Sequence, residues 1–262
     1  MLAVERHKFI LDYLKKNKVL KIQEIAKILD VTSMTVNRDI LHLEEKGLLE
    51  KTFGGAILPN SLIDEKNYSV KKLENYDIKK KIAKEAFSFI EDGMTVVLDA
   101  GTTTFELSNE INNSNLNKIT VITNDLNISL NLFQNERVNL ILLGGVVQRE
   151  TAATVDNFTI EMLDKYYIDI AFLGSASVSS EYYITTPTQD KMFLKNAMLR
   201  NSNKKILLVD KSKFNKKTLH KICKIDRFDN IITNYDFNTK DLEELNLNEK
   251  LIKVEQTMTR ED

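Results

Sequence analysis

Residues 22–56 read IQEIAKILDVTSMTVNRDILHLEEKGLLEKTFGGA, and the order of patterns in that stretch decides the fold of the first part of the chain. Ile22, Ile25, Ala26 and Leu29 repeat at helical spacing, with the small Ala26 where a second helix packs closely. Asp30, Val31 and Thr32 make a turn, after which Val36, Ile40 and Leu43 form an apolar stripe in a helix over 33–46. Thr32 or Ser33 supplies the side-chain oxygen an N-cap needs, and Gly47 suits a left-handed C-cap. Working outward, Phe9, Ile10, Tyr13 and Leu14 give 5–16 one helical face, and 48–57 reads as a hairpin turning at Gly54-Gly55. Three helices and then a small wing is the order of a winged helix-turn-helix, which lays one helix in the DNA major groove.

With Val36, Ile40 and Leu43 inward, the opposite face of the third helix carries Met34, Asn37, Arg38 and Leu41, with Thr35 and His42 on its flank. Arg38 can fork onto a guanine edge or a phosphate, and Asn37 can pair with adenine. Ser33 and Thr35 stand near the helix start, where hydroxyls and the helix dipole both favour phosphate oxygens. The expected DNA contacts are therefore Ser33, Met34, Thr35, Asn37, Arg38 and His42, joined by Lys51 of the wing. Asp39 is expected to pair with a cation of its own domain.

The chain has 262 residues, 42% hydrophobic and 29% charged, enough for two domains with sizeable cores. Net charge is −1, which excludes a protein that coats nucleic acid with a broad basic surface. Residues 1–57 hold 10 Lys/Arg against 8 Asp/Glu (+2), leaving 27 against 30 (−3) for the remainder. A single cysteine, Cys223, excludes an internal disulfide framework and is expected as a small buried residue. No apolar run approaches the roughly 18 residues of a membrane helix, and the start lacks a signal-peptide pattern, so a cytoplasmic protein is expected. His7, His42 and His220 are scattered and Cys223 has only His220 nearby, so no metal site is expected.

Residues 58–75 lack periodicity around Pro59, Asn60 and Ser61 and read as a linker with a short helical start near its end. From 76 to 262 helical patterns alternate with apolar runs at 94–98, 119–123, 138–143, 168–173, 206–209 and 230–233. Such runs predict parallel strands buried on both faces, hence a mainly parallel α/β domain. Ligands in such sheets bind beyond the carboxyl ends of the strands. There the sequence offers Asp99-Ala100-Gly101-Thr102-Thr103-Thr104, then Asn124, Gly144-Gly145 and Asp210-Lys211-Ser212-Lys213. Glycines permit close backbone approach, hydroxyls and a helix start accept an anion, and a lysine balances it. The set describes a cradle for a phosphorylated small molecule. No G-x-G-x-x-G or Walker sequence is present, so no nucleotide cofactor is expected.

These residues resemble the DeoR family of bacterial transcription regulators over nearly the whole chain. In the head the likeness rests on Ser33-Met34-Thr35-Val36-Asn37-Arg38-Asp39-Ile40, Leu43-Glu44-Glu45-Lys46-Gly47-Leu48-Leu49 and Gly54-Gly55-Ala56. The family pattern is roughly Ser-x-x-Thr-Ile-Arg-Arg-Asp-Leu, Leu-Glu-x-x-Gly-Leu and Arg-x-His-Gly-Gly-Ala. This chain departs from it at Asn37, Lys51 and Phe53. In the body the matching segments are 99–104, 123–124, 143–145, 169–174 and 210–214, with departures at Asp156, Lys191 and Phe193. The resemblance implies a winged helix-turn-helix followed by a sugar-phosphate-isomerase-like effector domain. It implies a regulator, most simply a repressor of a sugar-use operon, that binds double-stranded operator DNA as a homodimer or homotetramer. Its effector would be a phosphorylated sugar held by Asp99, Gly101, Thr102, Thr103, Asn124, Gly145 and Lys213.

A second reading is a sugar-phosphate isomerase with an appended DNA-binding head. Proton transfer between adjacent sugar carbons needs a positioned carboxylate, for which Asp99, Glu150 and Asp169 are the candidates by location. Asp99 can instead orient ligand hydroxyls and Glu150 can pair with Arg149, so no catalytic residue is assigned.

Overall fold

A computed structural model describes residues 2–17, 19–45, 48–57 and 68–255, which divide into two compact units, Met1–Ser61 and Leu62–Asp262. The C-cap expected at Gly47 and the first part of the linker, 58–67, lie outside the described residues.

The head contains α1 (Ala3–Asn17), β1 (Val19–Lys21), α2 (Ile22–Leu29), α3 (Ser33–Glu45), β2 (Glu50–Thr52) and β3 (Gly55–Ile57). Ile10 and Leu14 of α1, Ile25 and Ala26 of α2 and Val36, Ile40 and Leu43 of α3 meet in one core, closed by Leu20, Leu49 and Ala56. The turn between α2 and α3 is made by Asp30 in the left-handed region (φ 52°), which lets the Val31 N–H donate to the Ala26 carbonyl at 3.0 Å. Thr32 caps α3, its Oγ1 accepting from the Thr35 N–H at 3.2 Å. The wing is a three-stranded antiparallel sheet in the order β1-β3-β2, and its first strand was not legible in the sequence. Three residues ahead of α2 are too few to show a period. Gly54 turns the hairpin at φ +80°, and Gly55 lets β3 approach β1 so closely that a Cβ there would sit 2.0 Å from the Leu20 carbonyl oxygen.

The body opens with α4 (Tyr68–Leu73) and α5 (Tyr76–Phe87), followed by β4 (Thr95–Leu98), α6 (Thr102–Asn113), β5 (Ile119–Thr123), α7 (Leu126–Leu132) and β6 (Val138–Leu142). A small hairpin, β7 (Val147–Gln148) and β8 (Ala153–Thr154), leads to α8 (Asn157–Leu163) and β9 (Ile168–Leu173). After β10 (Ser177–Val178) and β11 (Tyr183–Thr186) come α9 (Gln189–Asn201), β12 (Ser202–Leu208), β13 (His220–Lys224), β14 (Asn230–Thr233), α10 (Thr239–Glu244) and β15 (Leu251–Lys253). Seven strands form a parallel sheet in the order β15-β14-β12-β9-β4-β5-β6.

The same strands feed two cores, which is why they read as unbroken apolar runs. Val97, Ala171 and Leu207 pack with Leu194, Ala197 and Met198 of α9 on one face. Val96, Leu98, Ile170 and Phe172 pack with Ile82 and Ala83 of α5 and Leu107 of α6 on the other. The edge strand β6 departs from this expectation, since its residues are exposed or only half-buried. A second antiparallel sheet, β10-β11-β13, holds Cys223, whose thiol burial pushes up to about 11. Among the described residues no helix is long and apolar enough to cross a membrane.

Replacing Gly55→Ala forces a methyl onto the Leu20 carbonyl and is expected to destabilise the head by about 2 kcal/mol. Thermal unfolding of the full chain measures it, and an unchanged head transition would contradict the close β1–β3 approach.

Candidate functional site

The exposed face of α3 carries the residues expected to read DNA. Met34 is 82% exposed, Arg38, Leu41, His42 and Ser33 are exposed, and Asn37 and Thr35 are half-buried. Neither Arg38 nor Asn37 hydrogen-bonds to another described residue, so both side chains are available to a ligand. Thr35 differs, because its hydroxyl lies 2.9 Å from that of Thr32 and helps to form the cap. His42 stacks on His7 with ring centroids 5.2 Å apart. The wing is tied to this helix, since the Lys51 N–H donates to Glu44 Oε1 at 2.8 Å while the Lys51 side chain stays exposed. Phe53, at the wing tip, is wholly exposed.

Beneath this face Asp39 forms the expected internal ion pair. Arg6 donates from Nε to Oδ2 at 2.7 Å and from Nη2 to Oδ1 at 3.1 Å, and His7 Nε2 lies 3.1 Å from the same Oδ1. Burial pushes the Asp39 carboxyl up, but the hydrogen bonds from Arg6 and His7 outweigh it and hold the group below the usual carboxylate range. The pair fixes α1 against α3, and so orients the exposed face.

In the body, the loops at the carboxyl ends of β4, β5 and β9 are joined to one another just ahead of α6. Asp99 is buried, and its Oδ2 accepts from the Gly174 N–H at 3.0 Å and from Lys195 Nζ, which also donates to the Gly174 carbonyl at 3.0 Å. Asp99 Oδ1 makes no hydrogen bond with a described residue. Thr102 and Thr103, only 8% and 9% exposed, open the twelve-residue α6, and neither hydroxyl hydrogen-bonds to a described residue. The first turn of α6 thus presents hydroxyls and N–H groups of the kind that accept an anion.

Cations stand close by. Lys213 lies in a short 3-10 turn, Lys211–Lys213, capped by Asp210, whose Oδ1 accepts from Ser212 N at 2.9 Å and Asn75 Nδ2 at 3.0 Å. Lys79 of α5 is buried, its Nζ donating to the Lys71 carbonyl. Burial, and then the charge of Lys213, pull the Lys79 ammonium down to about 8 against the opposing carboxylates of Asp210, Glu74 and Glu106.

Asn124 and Gly145 serve the scaffold. The Asn124 amide is used at both ends, Oδ1 accepting from the Ala100 N–H at 3.1 Å and Nδ2 donating to the Thr154 carbonyl at 2.9 Å. Gly145 adopts φ +139°, and a Cβ there would lie 2.4 Å from Thr159 Oγ1 and 2.6 Å from Asp156 Oδ1. The close approach foreseen at Gly145 is therefore to the start of α8. Asp156 caps that helix through Thr159 and accepts from the Val146 N–H at 2.7 Å. Gly101 holds ordinary extended backbone and donates its N–H to Asp125 Oδ2 at 3.1 Å. Lys191 is buried and reaches Thr151 Oγ1 at 3.3 Å, whereas Phe193 is exposed.

Lys195, Asp125 and Lys79 were not singled out in the sequence. Lys79 sits in the run Lys79-Lys80-Lys81, yet it lies three and four residues before the buried Ile82 and Ala83, a helical spacing that marks the inward face. Of the candidate catalytic bases, Asp169 caps the amino end of β4 through the Thr95 N–H at 2.8 Å, at the opposite end of the sheet. Glu150 is exposed, and Asp99 is held by Lys195. Among the described residues no group of His, Cys, Asp and Glu could hold a metal ion.

Residues 6–62 match the DeoR-like helix-turn-helix domain, and residues 74–235 match the DeoR C terminal sensor domain. The chain belongs to the DeoR family of transcriptional regulators. It is 35% identical over 232 residues to an uncharacterized HTH-type transcriptional regulator of Haemophilus influenzae, covering 88% of this chain and 90% of the other. It is also 35% identical over 247 residues to the lactose phosphotransferase system repressor of Lactococcus lactis, covering 94% and 96%. The transcriptional repressor GlcR of Bacillus subtilis is 32% identical over 233 residues, covering 89% of each. A ribose 5-phosphate isomerase A from Methanocaldococcus jannaschii matches 54% of this chain and 55% of its own at 25% identity and a TM-score of 0.39, which adds nothing to the family assignment. Its relatives are regulators and repressors, and this DeoR-family chain is a regulator rather than an enzyme.

Replacing Asp39→Ala removes the hydrogen bonds that tie Arg6 and His7 of α1 to α3 and is expected to destabilise the head. Because the folded Asp39 carboxyl titrates below its unfolded value, its contribution is complete above about pH 4 and disappears as pH falls through the lowered value. Unfolding curves of wild type and variant should therefore converge in acid, and a gap constant from neutral to acid pH would refute the ion-pair account.

Proposed function

We propose that this DeoR-family regulator is a repressor of a sugar-use operon, and that a phosphorylated sugar bound to the body releases it from operator DNA. The observation that carries the effector half is the start of α6, where the buried Thr102 and Thr103 hydroxyls lack partners among the described residues, on the helix whose Glu106 is felt by Lys79, as is Lys213. The phosphate sits on that helix start, and a sugar hydroxyl donates to Asp99 Oδ1. Asn124, Gly101 and Gly145 shape the loops behind the ligand. On the head, Arg38 and Asn37 read base edges, while Ser33, Met34, Thr35, His42 and Lys51 position the backbone and flanks. Asn37, where the family pattern has arginine, shifts the preference at its position toward adenine. Paired half-sites call for a homodimer or homotetramer acting in the cytoplasm. The effector switches the protein only by binding the released arrangement better than the DNA-bound one.

A thermal-shift screen of the full chain against phosphorylated sugars tests the effector reading, since a ligand of the native state raises the melting temperature. Lys213→Ala is expected to bind operator normally but to need more effector for release, and release at wild-type effector concentrations would remove Lys213 from the site. Arg38→Ala is expected to cost about 1–3 kcal/mol of operator affinity and to relax specificity at one base pair. Unchanged affinity would displace α3 as the reading helix. Lys79 is an ammonium below its value of about 8 and neutral above it, so effector affinity is expected to fall as pH rises through 8. Calorimetric titration at pH 7 and pH 9 measures this, and equal affinities would show that Lys79 does not face the anion.

A further inference from the structure

The first helix after the linker carries a hydroxyl that the folded body does not use. Tyr68 Oη is buried and has no hydrogen-bond partner among the described residues. Burial, and then the charges of Asp125 and Glu106, keep its proton on well above the usual phenol range, so the group is a donor at any physiological pH. Asp125 is the residue that binds the Gly101 N–H. Glu106 lies four residues after Thr102 and three after Thr103, on the same face of α6. With Lys72 of α4 over Phe105 of α6, the unused donor is carried by an element packed on the helix whose start holds the unused hydroxyls. A buried donor without an acceptor is unfavourable, and an incoming ligand oxygen relieves it.

The rest of α4 is held by the same surroundings. Its six residues are too few for a helix to persist alone. The Tyr68 N–H donates to the Glu150 carbonyl at 2.9 Å, Lys72 Nζ stands 4.5 Å over the Phe105 ring of α6, and Lys79 Nζ caps the Lys71 carbonyl. Every one of these tethers ends on an element of the cradle or beside it, and the chain runs from α4 through 58–67 to the head.

We propose that α4 is an effector-responsive latch, in which the Tyr68 hydroxyl donates to an oxygen of the phosphorylated sugar and so fixes the helix that meets the linker. This rests on the cradle reading given above. Occupancy of the cradle then changes the order of the segment leading to the head, which is a direct route from ligand to DNA release.

Hydrogen exchange of the full chain tests the latch, with millimolar ribose 5-phosphate, glucose 6-phosphate and fructose 1-phosphate as probes and inorganic phosphate as the sugar-free arm. The expected result is that at least one sugar phosphate slows exchange both at the start of α6 and across 68–73, the latter about five-fold, the effect of one net hydrogen bond. Tyr68→Phe removes only an oxygen without a partner, and should keep protection at α6 while losing it across 68–73. Protection at α6 with no change across 68–73, or protection across 68–73 that survives Tyr68→Phe, overturns the latch and leaves the cradle standing. No protection at α6 by any of the four probes overturns the cradle and the latch together.

Discussion

At the end of β5 the carboxylate of Asp125 binds three backbone N–H groups from two helix starts. Oδ1 accepts from Asn127 at 2.7 Å and Ile128 at 3.2 Å, capping α7, while Oδ2 takes the Gly101 N–H at 3.1 Å, immediately ahead of α6. Burial pushes this carboxyl up to about 6, against the pull of those hydrogen bonds. One buried group thus sets the spacing between adjacent strand ends, and the loops that follow inherit it. Asn124 repeats the device one residue earlier by joining Ala100 to Thr154. The start of α6 is held in place because the loops around it are bonded to each other, while the Thr102 and Thr103 hydroxyls and Asp99 Oδ1 make no hydrogen bond with a described residue.

The head shows the same economy on a smaller scale. Asp39 is buried between Arg6 and His7, and the residues on either side of it in the chain, Arg38 and Ile40, face solvent and core. A single helix turn therefore contains a core residue, a structural ion pair and an exposed cation. Helical geometry assigns these roles by direction alone.

That geometry explains how much could be read beforehand. Periodicity placed α2 and the buried stripe Val36, Ile40 and Leu43, and apolar runs placed β5, β9 and β14 to the residue, because burial on one or both faces writes itself into spacing. The positions of Thr102, Thr103 and Lys213 after strand ends were legible, because turn and helix-start residue types follow the apolar runs. What stayed hidden depends on contacts between distant segments. Asp99 and Lys195 are 96 residues apart, and nothing in either neighbourhood announces the pair. The scaffold contacts of Asn124 and Gly145 were not legible, because a polar amide or a glycine in sequence does not say which distant backbone it meets. β1 and α4 are short elements made by their partners, so local pattern could not define them.

The bond from the Lys51 N–H to Glu44 joins the hairpin to α3 inside the head. The strand that carries Lys51 is therefore held at both edges, by β3 on one side and by a carboxylate of the helix on the other. A substitution at Glu44 is thus felt in the hairpin as well as in α3.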